Sequence, residues 1–240
     1  DDALHPQVNP MDKPLKPVPL RIDIVSDVVC PWCIIGFKQL QLALVRMDDA
    51  FKVQVHWQPF ELNPGMASEG QDLAEHLAQK YGTSVEQSQA ARARLTALGE
   101  SLGFRFDYFD GMRIYNTFQA HQLLHWAGEP AHAPGAQTSL KLALFDAFFR
   151  RRENVGDTAT LALIAARAGL PEQEALEILA DGRYAERVRR DQATWLDRDV
   201  HAVPMFFFNE GVPVPGAQEA DTFVRVLSRL RSRDRAGAIS

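Results

Sequence analysis

Hydrophobic and polar positions alternate from Leu20 to Ser26, with Leu20, Ile22 and Ile24 set against Arg21 and Asp23, and this period of two predicts a strand. Ile34, Phe37, Leu40, Leu44 and Met47 then recur every three or four residues, which predicts a helix from about Pro31 to Met47 with one apolar stripe. Alternation returns at Phe51, Val53, Val55 and Trp57, a second strand that runs to Gln58 and stops before Pro59 and Pro64. Strand, helix and strand in so short a span imply a right-handed parallel unit.

From about Met66 to Arg198 only helical spacing is visible. Stripes run through Leu73 to Tyr81, Phe118 to Trp126, Leu140 to Phe149, Leu161 to Ala168 and Glu172 to Leu179. Ser84 and Gln87 form a capping box ahead of Leu95, Leu98 and Leu102, with Gly103 closing that helix. Strand character resumes at Met205 to Phe208, followed by a turn at Asn209-Glu210-Gly211 and by Val212 to Val214, which together predict a hairpin. Phe223, Val226, Leu227 and Leu230 mark a last helix from Gln218 to about Leu230. The expected fold is therefore α/β, with one compact unit made of residues 20–65 and 199–231 whose sheet the hairpin completes. An all-helical domain, residues 66–198, interrupts it. Residues 1–19, with five prolines, read as an extended lead-in, and residues 232–240 as a tail.

The 240 residues are 46% hydrophobic and 24% charged, enough to bury a sizeable core and to exclude disordered and fibrous classes. Twenty-six basic against 31 acidic residues leave a net charge of −5, which removes the basic footprint that nucleic acid or anionic lipid would require. No run of 18 apolar residues occurs, so no membrane span is expected. The absence of an apolar leader favours a cytoplasmic protein, and residues 1–10, which precede the first methionine, Met11, stand outside the fold argument.

The chain has two cysteines, Cys30 and Cys33, in Cys-Pro-Trp-Cys. They are too close to close a stabilising loop, which leaves redox or metal chemistry. At the end of a strand and the start of a helix, exposed N–H groups and the helix dipole favour a thiolate. Cys30, just before the helix, is expected to be an exposed nucleophile of low pKa, and Cys33, inside the first turn, its buried resolving partner. Pro31 suits the first helical position because its missing N–H would have no partner there. His121 and His125, four apart on one helical face, would complete a Cys2His2 metal site, but 87 residues lie between Cys33 and His121 where a zinc finger uses about 12, so no metal is expected.

Ser-Asp-Val-Val-Cys-Pro-Trp-Cys (Ser26 to Cys33), Trp-Gln-Pro-Phe-Glu-Leu-Asn-Pro (Trp57 to Pro64), Asn-Thr-x-x-Ala-His (Asn116 to His121), Ala-Val-Pro (Ala202 to Pro204) and Gly-Ala-Gln (Gly216 to Gln218) occur in this order. Together they resemble the DsbA-like thioredoxin-fold proteins of the FrnE subgroup, over about residues 20–231. The resemblance implies a thioredoxin fold with a helical domain inserted between its N-terminal βαβ and C-terminal ββα units. It also implies a thiol-disulfide oxidoreductase acting on a thiol- or disulfide-bearing protein or small molecule, with no bound cofactor and with glutathione as an optional co-substrate. Val203-Pro204 would be the loop with a cis proline opposite the cysteines, and Pro31, Trp32, Val203 and Pro204 would contact substrate. Asn116 and His121 would line the crevice between the two parts. The superfamily also holds the glutathione-dependent 2-hydroxychromene-2-carboxylate isomerases, whose typical serine is replaced here by Cys30; that activity, or a redox-linked chaperone, is the alternative reading. Oligomeric state is left open. Trp32 stands where the DsbA motif carries a histidine. Lacking a positive charge, it predicts a potential between about −120 mV for DsbA and about −270 mV for thioredoxin.

Overall fold

The computed structural model describes residues 16–211 and 213–237. The chain opens with strand β1 (Val18–Ser26), helix α1 (Pro31–Arg46) and strand β2 (Phe51–Pro59). β1 pairs in parallel with β2 from Val18 opposite Phe51 to Ser26 opposite Pro59. After the helical region come β5 (Met205–Phe208), β6 (Pro213–Pro215) and α9 (Ala220–Gly237). β5 runs antiparallel to β1, and the sheet order is β2-β1-β5-β6. The hairpin completes the sheet as expected; its Val212 lies outside the described residues. Two boundaries move outward. β1 begins at Val18 inside the expected lead-in, and α9 continues to Gly237 through much of the expected tail.

β1 is the centre of the sheet, and from Ile22 to Ser26 every residue is buried, so its polar alternation does not mark a solvent face. Asp23 is buried because Arg21 and the Gln58 amide both donate to it, at 2.8 and 2.7 Å. Leu20, Ile22 and Ile24 join the main core with α1 and α9, while Val25 and Phe207 on the other face pack against Trp195 and Val200. Gly36 on the inner side of α1 allows this closeness, since a Cβ there would lie 3.0 Å from the Phe206 ring.

Between β2 and β5 lie α2 (Leu73–Tyr81), α3 (Val85–Ser101), α4 (Phe118–Ala127), α5 (Ala136–Phe149), α6 (Thr158–Arg167), α7 (Glu172–Asp181) and α8 (Ala185–Asp197). The capping box at Ser84 and Gln87 is formed in both directions. This region is not purely helical, which corrects the sequence reading. Gln71–Asp72 (β3) and Arg113–Ile114 (β4) form a two-stranded ladder, too short to leave a period in the sequence. α8 left no stripe because its only buried residues are Val188 and Trp195, two turns apart. α5 closes the outer edge of the sheet. The Gln137 amide accepts from the Trp57 N–H and donates to the Trp57 carbonyl, and the Trp57 indole donates to Thr138. An edge strand is thereby capped by side chains rather than left open.

Candidate active site

Cys30 is the N-cap of α1 and Pro31 its first residue, so the chain turns sharply from the end of β1 into the helix. That turn brings Cys33 N–H to the Cys30 carbonyl at 3.1 Å and seats both sulfurs at the helix start. Facing them is the loop before β5, where the Val203-Pro204 bond is cis and the Cys30 thiol points to the Val203 carbonyl at 3.8 Å. Val29, Cys30, Pro31, Trp32 and Val203 form one end of a cavity of about 660 Å³ that runs between this turn and the helices α2 and α3. Pro204 is buried beneath that loop.

Cys30 is not exposed as expected: it is 4% accessible and Cys33 is 0%. The two neighbouring thiols titrate as a pair. The adjacent Cys33 sulfur, burial and the charge on that neighbour push the Cys30 thiol well above its ordinary value. Burial would also raise Cys33, but the adjacent Cys30 thiol, the Lys141 ammonium and the Ser26 hydroxyl outweigh it and pull Cys33 down. Both shifts belong to the coupled dithiol, and the Lys141 ammonium and the Ser26 hydroxyl act on its Cys33 side.

Behind Cys33 stands a buried charged group that the sequence reading did not single out. Asp27 accepts from the Val28 N–H at 2.7 Å, the Leu62 N–H at 2.7 Å and His121 Nε2 at 3.2 Å. His121 Nε2 also meets the Phe60 carbonyl at 3.0 Å, and facing two acceptors it carries the proton. Burial disfavours the Asp27 charge, but the bond from His121, the Leu62 N–H and the Lys141 ammonium hold its carboxyl below the usual range. Asp27 thus ties the end of β1 to the 60–62 loop and to α4, and that loop is a wall of the cavity beside Cys30.

Lys141 on α5 is 0% exposed, and its Nζ has no hydrogen-bond partner among the described residues. It lies 5.2 Å from the Trp57 ring and 5.1 Å from the Phe145 ring. Burial pulls its pKa down to about 8 against the opposing pull of Cys33, Asp27 and Cys30. A second cavity of about 410 Å³, behind the sheet edge, is lined by Lys141, His121 and His56. His121 lines this second cavity, between β2 and the inserted helices, and holds Asp27 from behind; it does not reach the cavity beside Cys30. The expected place of Asn116 is corrected. Asn116 lines neither cavity: its amide reaches the Pro64 and Met66 carbonyls at 3.5 and 3.4 Å, and its Oδ1 accepts the Phe118 N–H to start α4. His125 pairs with Asp191 at 3.2 Å, turned to a carboxylate rather than to the cysteines.

Residues 21–228 match the DsbA-like thioredoxin domain. The chain belongs to that family. A probable DsbA oxidoreductase from Streptomyces coelicolor is 33% identical, with 88% of this chain and 89% of that chain covered and a TM-score of 0.81. An uncharacterised protein of Bacillus subtilis, YwbO, is 26% identical over 211 residues, which cover 87% of this chain and 96% of that protein. A 2-hydroxychromene-2-carboxylate isomerase shares the fold at a TM-score of 0.63 and 15% identity, over 92% of this chain and 100% of that one. Among the described residues, no helix of this DsbA-like chain is long and apolar enough to cross a membrane.

Proposed function

We propose that the protein is a thiol-disulfide oxidoreductase in which Cys30 attacks and Cys33 resolves. The observation that carries this reading is the asymmetry of the pair: Cys30 opens on a cavity next to the Val203 carbonyl, while Cys33 is shut behind it against Lys141 and Asp27. As a substrate disulfide approaches, Cys30 gives up its proton. The Cys30 thiolate forms a bond to one substrate sulfur and the other leaves as a thiolate that takes up a proton. Cys33 then gives up its proton and attacks the Cys30 sulfur. A Cys30–Cys33 disulfide forms, the second substrate thiol leaves, and two electrons have moved from the dithiol to the substrate. The reverse sequence oxidises a dithiol. The test is trapping: Cys33→Ser incubated with a disulfide substrate should accumulate a mixed disulfide at Cys30, seen as added mass and reversed by dithiothreitol. A Cys33→Ser variant that carries no adduct while Cys30→Ser does would overturn the assignment.

A further inference from the structure

The cavity beside Cys30 is large for a groove that only receives an extended peptide at Val203. Its volume of about 660 Å³ falls within the range of roughly 300–1,000 Å³ that small-molecule sites occupy. Beyond the sulfur its walls are apolar: Leu73, Leu77, Leu95, Tyr108, Phe148 and Phe149. A ligand body that fills it gains by leaving water, and a strongly hydrated one loses.

The polar groups on the walls differ in what they have left to give. Lys80 is committed to the Leu62 carbonyl and to Asn63 Oδ1, both at 2.7 Å, and His76 is held between Gln71 and Asn63. Glu61 accepts from the Gln192 amide at 3.1 Å. Arg92 is different. One of its terminal nitrogens meets Ser88 Oγ at 3.2 Å, its buried Nε donates to nothing, and it makes no ion pair among the described residues. Thr83 Oγ1, on the same wall, is buried and unpartnered too. Asp72, Glu75 and Asp110 share a neighbouring cavity with Arg92; Asp72 is occupied in capping α2 through the Glu75 N–H at 3.0 Å, and none of the three forms an ion pair with Arg92 among the described residues. A buried donor without an acceptor is costly, and a carboxylate supplies acceptors of the matching charge. Tyr108 lines the same cavity within the fields of both Cys30 and Arg92; burial pushes its phenol up, so it remains a neutral donor.

We infer that this cavity takes a low-molecular-weight disulfide or thiol with an apolar, aromatic-sized body and one acid group, the sulfur at Cys30 and the acid on Arg92. The inference rests on the redox reading of Cys30 and names its substrate class. The step is unchanged: the Cys30 thiolate displaces one acidic thiol, Cys33 displaces the other, and the dithiol supplies both electrons. A hydrophilic peptide thiol with several charges suits these walls poorly, and a protein client would use the rim rather than the interior.

The test compares disulfides on the reduced protein: 5,5′-dithiobis(2-nitrobenzoate), which is aromatic with one carboxylate per half, neutral 2,2′-dithiodipyridine, cationic cystamine, oxidised glutathione and a disulfide-bonded protein. Each kcat/KM is divided by the rate constant of a free thiol with the same compound. The aromatic acid should exceed each of the others by about tenfold or more. Arg92→Gln should remove that preference, lowering kcat/KM for the aromatic acid more than for the neutral aromatic disulfide, while Arg92→Lys keeps it. Equal normalised rates, a preference for the protein substrate, or a preference untouched by Arg92→Gln would overturn the inference. Binding of the redox-inert apolar anion 8-anilinonaphthalene-1-sulfonate to the Cys30→Ser variant separates the two claims. If it binds with a Kd that Arg92→Gln weakens while no disulfide reacts with the parent protein, the cavity stands and the redox reading falls. If disulfides react and this anion does not bind, the redox reading stands and the cavity assignment falls.

Discussion

On the Cys30 side of the dithiol, Trp32 is 47% exposed at the mouth of a cavity walled by Leu77, Leu95 and Phe149. On the Cys33 side, Asp27, His121 and Lys141 are buried, and their partners are one another, backbone N–H groups and aromatic faces. Two sulfurs within one helical turn therefore meet opposite surroundings. The cavity side can bind and orient a substrate, whereas the buried charged side acts on the ionisation of the dithiol and reaches no substrate. The division assigns separate consequences to mutation. Changes on the cavity side should act on KM and selectivity, and changes behind Cys33 on pH dependence and potential.

The largest effects belong to the sulfurs themselves. Cys30→Ser should lower exchange by a factor of about 10³ or more, whereas Cys33→Ser should retain one round of attack and stop at the mixed disulfide. Stopped-flow exchange with a chromogenic disulfide separates the burst from turnover. A burst of equal size in both variants would erase the distinction between the two sides.

Next is the cost of the buried lysine. Its pKa in the fold, about 8, lies below its ordinary value of 10.5, so the folded protein gives up the proton first. The charged form is therefore destabilising at low pH, and stability should rise as pH climbs from about 8 to about 10.5, by about 3 kcal/mol. Asp27 has the opposite linkage: held below its ordinary value, it stabilises the fold above that value and loses this as pH falls through its folded pKa. Urea unfolding of the disulfide form at pH 7 and pH 10, where no thiol titrates, should show the alkaline rise in the parent protein and its loss in Lys141→Met. An unchanged rise in the variant would move the titration to another group.

The same lysine should set the redox poise. A cation that favours the thiolate favours the reduced form and raises the potential. Removing a charged interaction of ~1.5–3 kcal/mol corresponds to ~30–60 mV, so Lys141→Met should be less oxidising by that amount. Alkylation of the dithiol should shift toward higher pH, with KM for small disulfides unchanged. A change in KM alone would show that the two sides are not separate.

The sequence made the sheet and the sulfurs legible and left the charged backing hidden. β1, α1 and β2 each carry several apolar residues at one period, and the motif pairs Cys30 with the Val203-Pro204 loop. β3, β4 and α8 went unread because two residues, or two anchors two turns apart, define no period. Asn116 pointed to the correct helix start and the wrong duty, since a motif does not say which neighbour a side chain meets. Lys141 interrupts an apolar run as a solvent-facing residue would. Its spacing to Phe145 and Phe148, four and seven residues on, nevertheless put it on the buried face of α5. Asp27 needed the fold, because two of its partners, Leu62 and His121, are 35 and 94 residues away.

Trp32 sharpens the comparison from the open side. With no charge between the cysteines, the sequence predicts a mild oxidant, but the fold supplies a cation from α5 that no reading of the motif includes. The two positions differ in their surroundings: Lys141 is 0% exposed, and Trp32 is 47% exposed, where water screens any charge placed there. Trp32→His should therefore raise the potential by less than ~30 mV, below the shift expected for Lys141. Equilibration of both variants and the parent protein with glutathione buffers, read by trapping the free thiols and weighing the adducts, ranks the two effects. A larger shift from Trp32→His than from Lys141→Met would return control of the poise to the residue between the cysteines.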